Sequence, residues 1–226
     1  VYFNRAIAIY QHNKQENHPD LADLYHSMGN AYAILGNHSQ ALSYYEKTLQ
    51  IQLLHFTPES HRLLATYNSL ANTFMEQGDY NKALVYYRNN LNILHHNVAN
   101  NHHNLAGTLN NIGGAFTKMG SYDKALKNYR EALTIYTPQA APSEWAGTQN
   151  NLANAYKNRI RGQPADNIEQ AIHHNQQALP IYTQQAYPAK AAMTQNNHIT
   201  PAVIKSICNS TSRIVVMALV ISSVRS

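Results

Sequence analysis

One short pattern recurs four times along the chain, and its period restricts the fold to a small set of architectures. Its copies begin at Ser27, Ser69, Asn111 and Asn151, with offsets of 42, 42 and 40 residues. A second block, centred on alanine, follows each copy: Gln40-Ala41-Leu42, Lys82-Ala83-Leu84, Lys124-Ala125-Leu126 and Gln170-Ala171-Ile172. A period of this length is typical of repeat proteins, in which each unit packs on its neighbours along the chain.

Apolar spacing predicts two helices in each unit. Leu70, Ala71 and Phe74 lie at i, i+1 and i+4, while Ala83, Tyr87 and Leu91 recur every four residues, so each set falls on one helical face. Between the blocks lie short turns: Gly36-Asn37, Gly78-Asp79 and Gly120-Ser121. Glycine suits the left-handed end of the first helix, and the polar residue after it can cap the second helix.

Small residues at matching positions predict close approach of the two helices. They are Gly29, Ala71, Gly113 and Ala153 in the first helices, and Ala41, Ala83, Ala125 and Ala171 in the second. Most of the tyrosines, including Tyr44, Tyr45, Tyr86, Tyr87 and Tyr129, fall where repeats pack a large side chain. We therefore interpret them as core residues and not as platforms for stacking nucleic acid bases.

These features resemble the tetratricopeptide repeat family. The small residue followed three positions later by Tyr or Phe, the glycine turn and then Asp-Tyr-x-Lys-Ala-Leu match that family, most fully between Gly78 and Leu84. The 42-residue period, longer than the usual 34 or so, is similar to the kinesin light chain type. Farther on, Trp145 to Leu152 and Asn167 to Ile172 resemble repeats that accompany caspase-like CHAT domains. The resemblance implies an all-α, right-handed α-solenoid of helix–turn–helix repeats.

The repeat pattern also predicts how the chain is divided. We expect a partial repeat (second helix only) at 1–15, full repeats at 16–57, 58–99, 100–141 and 142–187, an incomplete repeat at 188–201 and a non-repeat tail at 202–226. Repeat 4 has a longer turn between its helices. Because the first residues align with a second helix, we expect the chain to be a fragment of a larger array. The tail fits no repeat position, and we interpret it as disordered or as an artefact of truncation.

Charge and composition narrow the function classes. The formal net charge is +5, but residues 190–226 carry four bases and no acid, so residues 1–189 hold 13 bases against 12 acids. A nearly neutral body does not favour a nucleic acid partner. The longest apolar run, 214–221, has eight residues, too few for a membrane span. With one cysteine and no pattern of a signal peptide, we expect a cytoplasmic protein without a membrane partner.

Catalytic and cofactor motifs are not found in the sequence. It contains no phosphate-binding or dinucleotide-binding glycine motif and no nucleophile elbow, and Cys208 has no credible histidine partner. None of the 13 histidines lies three or four residues from another, which disfavours a helical metal site and leaves a loop site joining His95 and His102 as a minor alternative. We therefore expect no enzyme activity, no cofactor and no metal.

Asparagine is the most informative polar residue. In tetratricopeptide repeats the first helices line the concave groove, so the resemblance places eight amides there: Asn30, Asn68, Asn72, Asn110, Asn111, Asn150, Asn151 and Asn154. An amide offers both a donor and an acceptor, so it can pair with the backbone of an extended peptide. The alternative is that these amides only cap helices and keep the surface soluble. The carboxylate clamp of chaperone-binding relatives is not matched, since its lysine positions hold His26, Asn68, Asn110 and Asn150.

Two functions follow as expectations. The first is a non-catalytic protein-interaction scaffold that binds an extended peptide or adaptor segment in the groove, similar to kinesin light chain repeats. The second is a regulatory or sensor array of a larger enzyme, such as a CHAT-type protease or a transferase, whose catalytic domain lies outside this chain. Both predict a protein or peptide partner, and the sequence leaves the oligomeric state open.

Overall fold

The structure is a computed structural model that describes residues 17–96, 101–159 and 162–181, together with Arg5, Ala8 and Tyr10, which are helical. Eight α-helices lie in these ranges: α1 (Pro19–Ile34), α2 (His38–His55), α3 (Leu64–Gln77), α4 (Tyr80–His96), α5 (His102–Lys118), α6 (Tyr122–Ile135), α7 (Pro142–Asn158) and α8 (Pro164–Ala178). A 3-10 turn, His61–Leu63, leads into α3. All regular structure in the described ranges is helical, so the predicted all-α class is confirmed.

The helices pack as consecutive antiparallel neighbours. The strongest contacts join α1 with α2, α3 with α4, α5 with α6 and α7 with α8, and each pair then contacts the first helix of the next. First helices also touch along the array, α1 with α3 and α5 with α7. This order of contacts is that of an all-α solenoid. Residues 182–226, which include the predicted incomplete repeat and tail, lie outside the described residues, and the repeat boundaries stay a prediction.

Glycine ends the first helices, as the sequence predicts. Gly36, Gly78 and Gly120 have φ values of 72°, 80° and 71°, a left-handed conformation that a side chain would strain. The residue after each glycine then differs in its capping. Asn37 and Asp79 accept hydrogen bonds from the backbone N–H three residues on, at 3.2 Å in both cases, whereas Ser121 makes no such side-chain bond.

Among the turns within the helix pairs, the one between α7 and α8 is the longest, because five residues separate Asn158 from Pro164 and two or three separate the helices of the other pairs. Gly162 lies in this turn with a φ of 88°.

Close approach within the pairs is confirmed. A Cβ on Gly29 would lie 2.5 Å from Cε1 of Tyr45, and one on Gly113 would lie 2.6 Å from Cε1 of Tyr129. The alanines of the second helices are buried with 0% exposure at residues 41, 83 and 125. The helix pairs thus lie so close that no Cβ fits at residues 29 and 113 without a shift of the facing tyrosine, and the alanine methyl groups of the second helices are fully buried.

Three tyrosines at the 42-residue offset form the centre of the core. Tyr45, Tyr87 and Tyr129 are each 2% exposed, and each packs in the cluster that joins its own helix pair to the next first helix. Residue 175 occupies the corresponding position in the fourth pair and is asparagine, also 2% exposed. Tyr44 and Tyr86 are only half-buried, and their rings stack on Tyr32 and Phe74.

Candidate ligand-binding groove

A groove of about 810 Å³ runs over three successive first helices, α3, α5 and α7. Its walls also include Tyr87 and Tyr129, which reach it from the second helices α4 and α6. Five of the eight predicted asparagines line it: Asn72, Asn110, Asn111, Asn151 and Asn154. The first helices therefore bring amides from three repeats into one continuous surface.

The other three predicted asparagines lie elsewhere. Asn68 lines a second cavity, of about 500 Å³, between the second and third helix pairs, and Asn111 lines both cavities. Asn30, on α1, is exposed beyond the groove, and Asn150, on α7, is half-buried. The Oδ1 atom of Asn150 is buried without a hydrogen-bond partner among the described residues.

Two of the predicted asparagines bind core tyrosines. The Tyr45 hydroxyl donates to Oδ1 of Asn30 at 2.8 Å, and the Tyr87 hydroxyl donates to Oδ1 of Asn72 at 2.6 Å. Burial raises the pKa of both tyrosines, so the hydroxyls remain protonated donors. The Oδ1 atoms of these two amides are thus paired with tyrosine hydroxyls of the core.

The third repeat forms this contact differently. Gly114 stands where Asn30 and Asn72 stand in the first two repeats. The hydroxyl of Tyr129 instead lies 3.1 Å from Oγ1 of Thr117. Thr117 is a lining residue of the groove, so in this repeat a hydroxyl replaces the amide at the groove wall.

Hydrogen bonds also join neighbouring first helices. Nδ2 of Asn151 donates to Oδ1 of Asn110 at 3.2 Å, which links α7 to α5. Nε2 of His26 lies 3.2 Å from Oγ of Ser69, in the equivalent pair of positions, and links α1 to α3. Burial lowers the pKa of His26, which favours its neutral form. Part of the predicted polar surface therefore fixes the repeats against each other.

The groove also contains residues that the sequence reasoning missed. Glu76, Lys118 and Asn158 occupy equivalent positions in the last turns of α3, α5 and α7, and all three line the groove. One acid, one base and one amide leave the lining without net charge. The repeat offset that located the other amides would also have located these three, had the last turn of each first helix been compared.

The described residues contain neither a cluster of metal-ligating side chains nor a membrane-spanning helix. Among residues 17–96, 101–159 and 162–181, no three side chains of His, Cys, Asp or Glu come together as a metal site would require. No helix in these ranges is both long enough and apolar enough to cross a bilayer. The cysteine at position 208 lies outside the described residues.

Comparisons with known proteins agree with this geometry. A sequence profile described as "Tetratricopeptide repeat" matches residues 1–53 and 62–137, more than half of the chain. No curated protein sequence matches significantly.

Solved structures share the fold at low sequence identity. BtubC (BKLC) from P. vanneervenii is 23% identical with a TM-score of 0.65, and the match covers 89% of this chain and 78% of that one. The nearly identical TPR-like repeats described as a kinesin light chain of Podosopora anserina are 18% identical with a TM-score of 0.66, covering 81% and 85%. A variant of the latter protein is also 18% identical, with a TM-score of 0.67, and the match covers 81% of this chain and 84% of that one. At these identities the similarity shows the fold.

Proposed function

Because the chain belongs to the tetratricopeptide repeat family, we propose that it binds an extended peptide or adaptor segment in the groove over α3, α5 and α7. The fold of this family mediates protein–protein interaction and is generally non-catalytic. The mode of binding would be similar to that of kinesin light chain repeats that hold cargo adaptors. The single observation that carries the proposal is the convergence of five amides from three repeats on one groove.

The chemistry of the lining suits a peptide backbone. An extended chain presents alternating N–H donors and C=O acceptors, and an Asn side chain offers one of each type of group. Asn111 and Asn154 line the groove on α5 and α7, and neither makes a side-chain hydrogen bond within the described part of the chain. Their amides are therefore available to a ligand, in contrast to Asn72 and Asn110.

Charge contributes little to this mechanism. Glu76 and Lys118 are the charged residues in the lining, and their signs oppose. Binding that depends on neutral amides should weaken only slightly as salt is raised, because there is little long-range attraction to screen. A steep salt dependence would contradict the mechanism.

The test uses peptides selected from a random display library on the whole chain, with affinities measured by fluorescence anisotropy. Asn111→Ala combined with Asn154→Ala should weaken a selected peptide roughly tenfold or more, since each lost hydrogen bond is worth about 0.5–1.5 kcal/mol and an unpaired backbone group adds to the loss. The melting temperature should change little, because no hydrogen bond within the described protein is removed.

A matched control is available on the second helix of repeat 2. Asn81 and Asn92 are both exposed on α4, and neither lines the groove. Their double replacement by Ala removes the same two functional groups from another surface and should leave the affinity unchanged. Equal losses of affinity in the two double variants would refute the groove as the binding site.

A further inference from the structure

The second cavity, between the second and third helix pairs, has a different character from the groove. Its volume is about 500 Å³, and its polar lining comes from Asn68, Asn90, Asn104, Thr108 and the two histidines at 61 and 103. Leu64 and Leu94 supply apolar wall. The described lining therefore holds many hydrogen-bonding groups and no Asp, Glu, Lys or Arg side chain.

Asn90 is the unusual residue of this cavity. It is 2% exposed, and its Oδ1 atom is buried without a hydrogen-bond partner in the described part of the chain. Buried polar atoms are almost always paired, because leaving one unpaired is unfavourable. An unpaired amide oxygen on a side chain that lines a cavity indicates a site for a ligand with a hydrogen-bond donor.

Smaller residues fill the equivalent position in the other repeats. Thr48, Ala132 and Ala178 stand at the equivalent positions, and each is 0% exposed. The Thr48 hydroxyl lies 2.9 Å from the Tyr44 carbonyl oxygen and 3.3 Å from that of Ala22, so it is paired within its own repeat. Only the second of these four repeats places an amide here, and that amide borders a cavity.

We propose that this cavity binds a primary carboxamide, namely the side chain of a glutamine or asparagine in the peptide that occupies the groove. The inference that a bound peptide supplies this carboxamide rests on the proposed function. Asn111 lines both cavities, so the second cavity adjoins the groove in which the peptide backbone is proposed to lie. The methylene groups of such a side chain would pack against Leu64 and Leu94.

A carboxamide fits better than a charged group. It carries both an N–H donor and a C=O acceptor, so it pairs with Asn90 whichever way the Asn90 amide is turned. An ammonium or carboxylate would leave water without finding an Asp, Glu, Lys or Arg side chain in the described lining, and burial of a charge without such a partner is strongly unfavourable. A purely apolar side chain would leave Oδ1 of Asn90 unpaired.

The cavity is tested with small probes on the isotope-labelled full chain. N-acetylglutamine methylamide should produce saturable NMR shifts of the Asn90 side-chain amide and the Gly107 backbone amide, with a dissociation constant on the order of a millimolar for a ligand of this size. The matching glutamate and norleucine methylamides should bind at least tenfold more weakly, because each lacks the paired donor and acceptor. Equal binding of the norleucine probe, or no saturation with the glutamine probe, would overturn the inference.

Asn90→Thr is the decisive variant, because Thr48 shows that threonine is accommodated at this position. It should melt no lower than the wild type and should bind the glutamine probe at least tenfold more weakly. Asn90→Ala, which introduces the residue found at the equivalent Ala132, serves the same purpose if the threonine variant does not fold. An unchanged dissociation constant in a folded variant would show that Asn90 is not the partner.

Peptide selection tests the source of the carboxamide. Peptides selected on the wild type should be enriched in Gln or Asn at one position, and selection on Asn90→Thr should yield binders without that enrichment. Groove-binding peptides that lack the enrichment on the wild type would overturn the inference and leave the proposed function intact. Binding of the glutamine probe with no selectable peptide would support the cavity and refute the groove.

Discussion

Two adjacent glycines on α5 provide a test of the helix packing in which the same substitution has opposite effects. Gly113 faces the ring of Tyr129 across the helix pair, whereas Gly114 faces the groove. We expect Gly113→Ala to lower the free energy of unfolding and Gly114→Ala to raise it. Both changes add one methyl group to the middle of the same helix, so their intrinsic effects on helix formation should be equal.

The magnitude for Gly113→Ala is the balance of two terms. The new Cβ would lie 2.6 Å from Cε1 and 2.7 Å from Cδ1 of Tyr129, whereas ordinary contact begins at 3.4 Å, so the ring must move by roughly 0.8 Å. Overpacking of this kind costs typically about 1–3 kcal/mol, against about 1 kcal/mol gained from replacing glycine in a helix. The expected net loss is therefore up to about 2 kcal/mol. Since repeat 2 accommodates Ala71 opposite Tyr87, the variant should still fold.

Gly114→Ala keeps the gain from replacing glycine in a helix and adds no steric overlap. Its nearest neighbour would be the Tyr129 hydroxyl oxygen at 3.9 Å, an ordinary contact. Stability should therefore rise by up to about 1 kcal/mol. Urea denaturation followed by circular dichroism gives the two midpoints relative to the wild type. Midpoints that shift in the same direction, or a Gly113→Ala protein more stable than the wild type, would refute the packing argument.

Three further perturbations follow from the same structure. Ala83→Trp should lower the melting temperature severely and along the whole array, because a fully buried methyl at a helix contact cannot be replaced by an indole; coincident melts would show that the repeat register is wrong. Tyr87→Phe removes the hydrogen bond to Asn72 and should lower the free energy of unfolding by about 0.5–1.5 kcal/mol in urea titrations. Burial lowers the pKa of His174 from 6.5 to about 4, so the stability associated with its neutral form is complete above pH 6.5 and should be lost as the pH falls toward 4. Urea midpoints of His174→Gln should depend less on pH than those of the wild type over that range.

Much of the fold could be predicted because each repeat uses the same residues for the same contact. The small residues at equivalent positions, such as Gly29 in a first helix and Ala83 in a second helix, predicted where the helices meet. The glycine turns at 36, 78 and 120 predicted where the first helices end. These features depend on local geometry and on residue size, both of which are visible in a sequence. The prediction that the Ser121 side chain caps the second helix of its repeat was wrong. The presence of a serine at this position does not by itself determine whether its hydroxyl reaches the backbone.

The groove was harder to predict, because polar side chains choose partners according to distances that periodicity does not contain. The spacing indicates that Asn72 lies on the groove-facing side of α3, but not that the Tyr87 hydroxyl reaches it from α4. It likewise does not reveal the bond between Asn151 and Asn110, which depends on how far α7 lies from α5. Asn90 was not predicted as a site residue, because its spacing in the repeat indicates a core position, where an amide is not expected.

The neighbour-to-neighbour packing of the helices has a consequence for how the protein folds. Within the described residues, the strongest contacts join helices that follow one another in the chain. Closing such contacts requires only short loops, so the contact order is low, and chains of this kind typically collapse to their native state in microseconds to milliseconds. Any helix pair can serve as the first to form, and growth then proceeds toward both ends. Amide exchange should accordingly be slowest in the middle pairs and quickest in the outer ones.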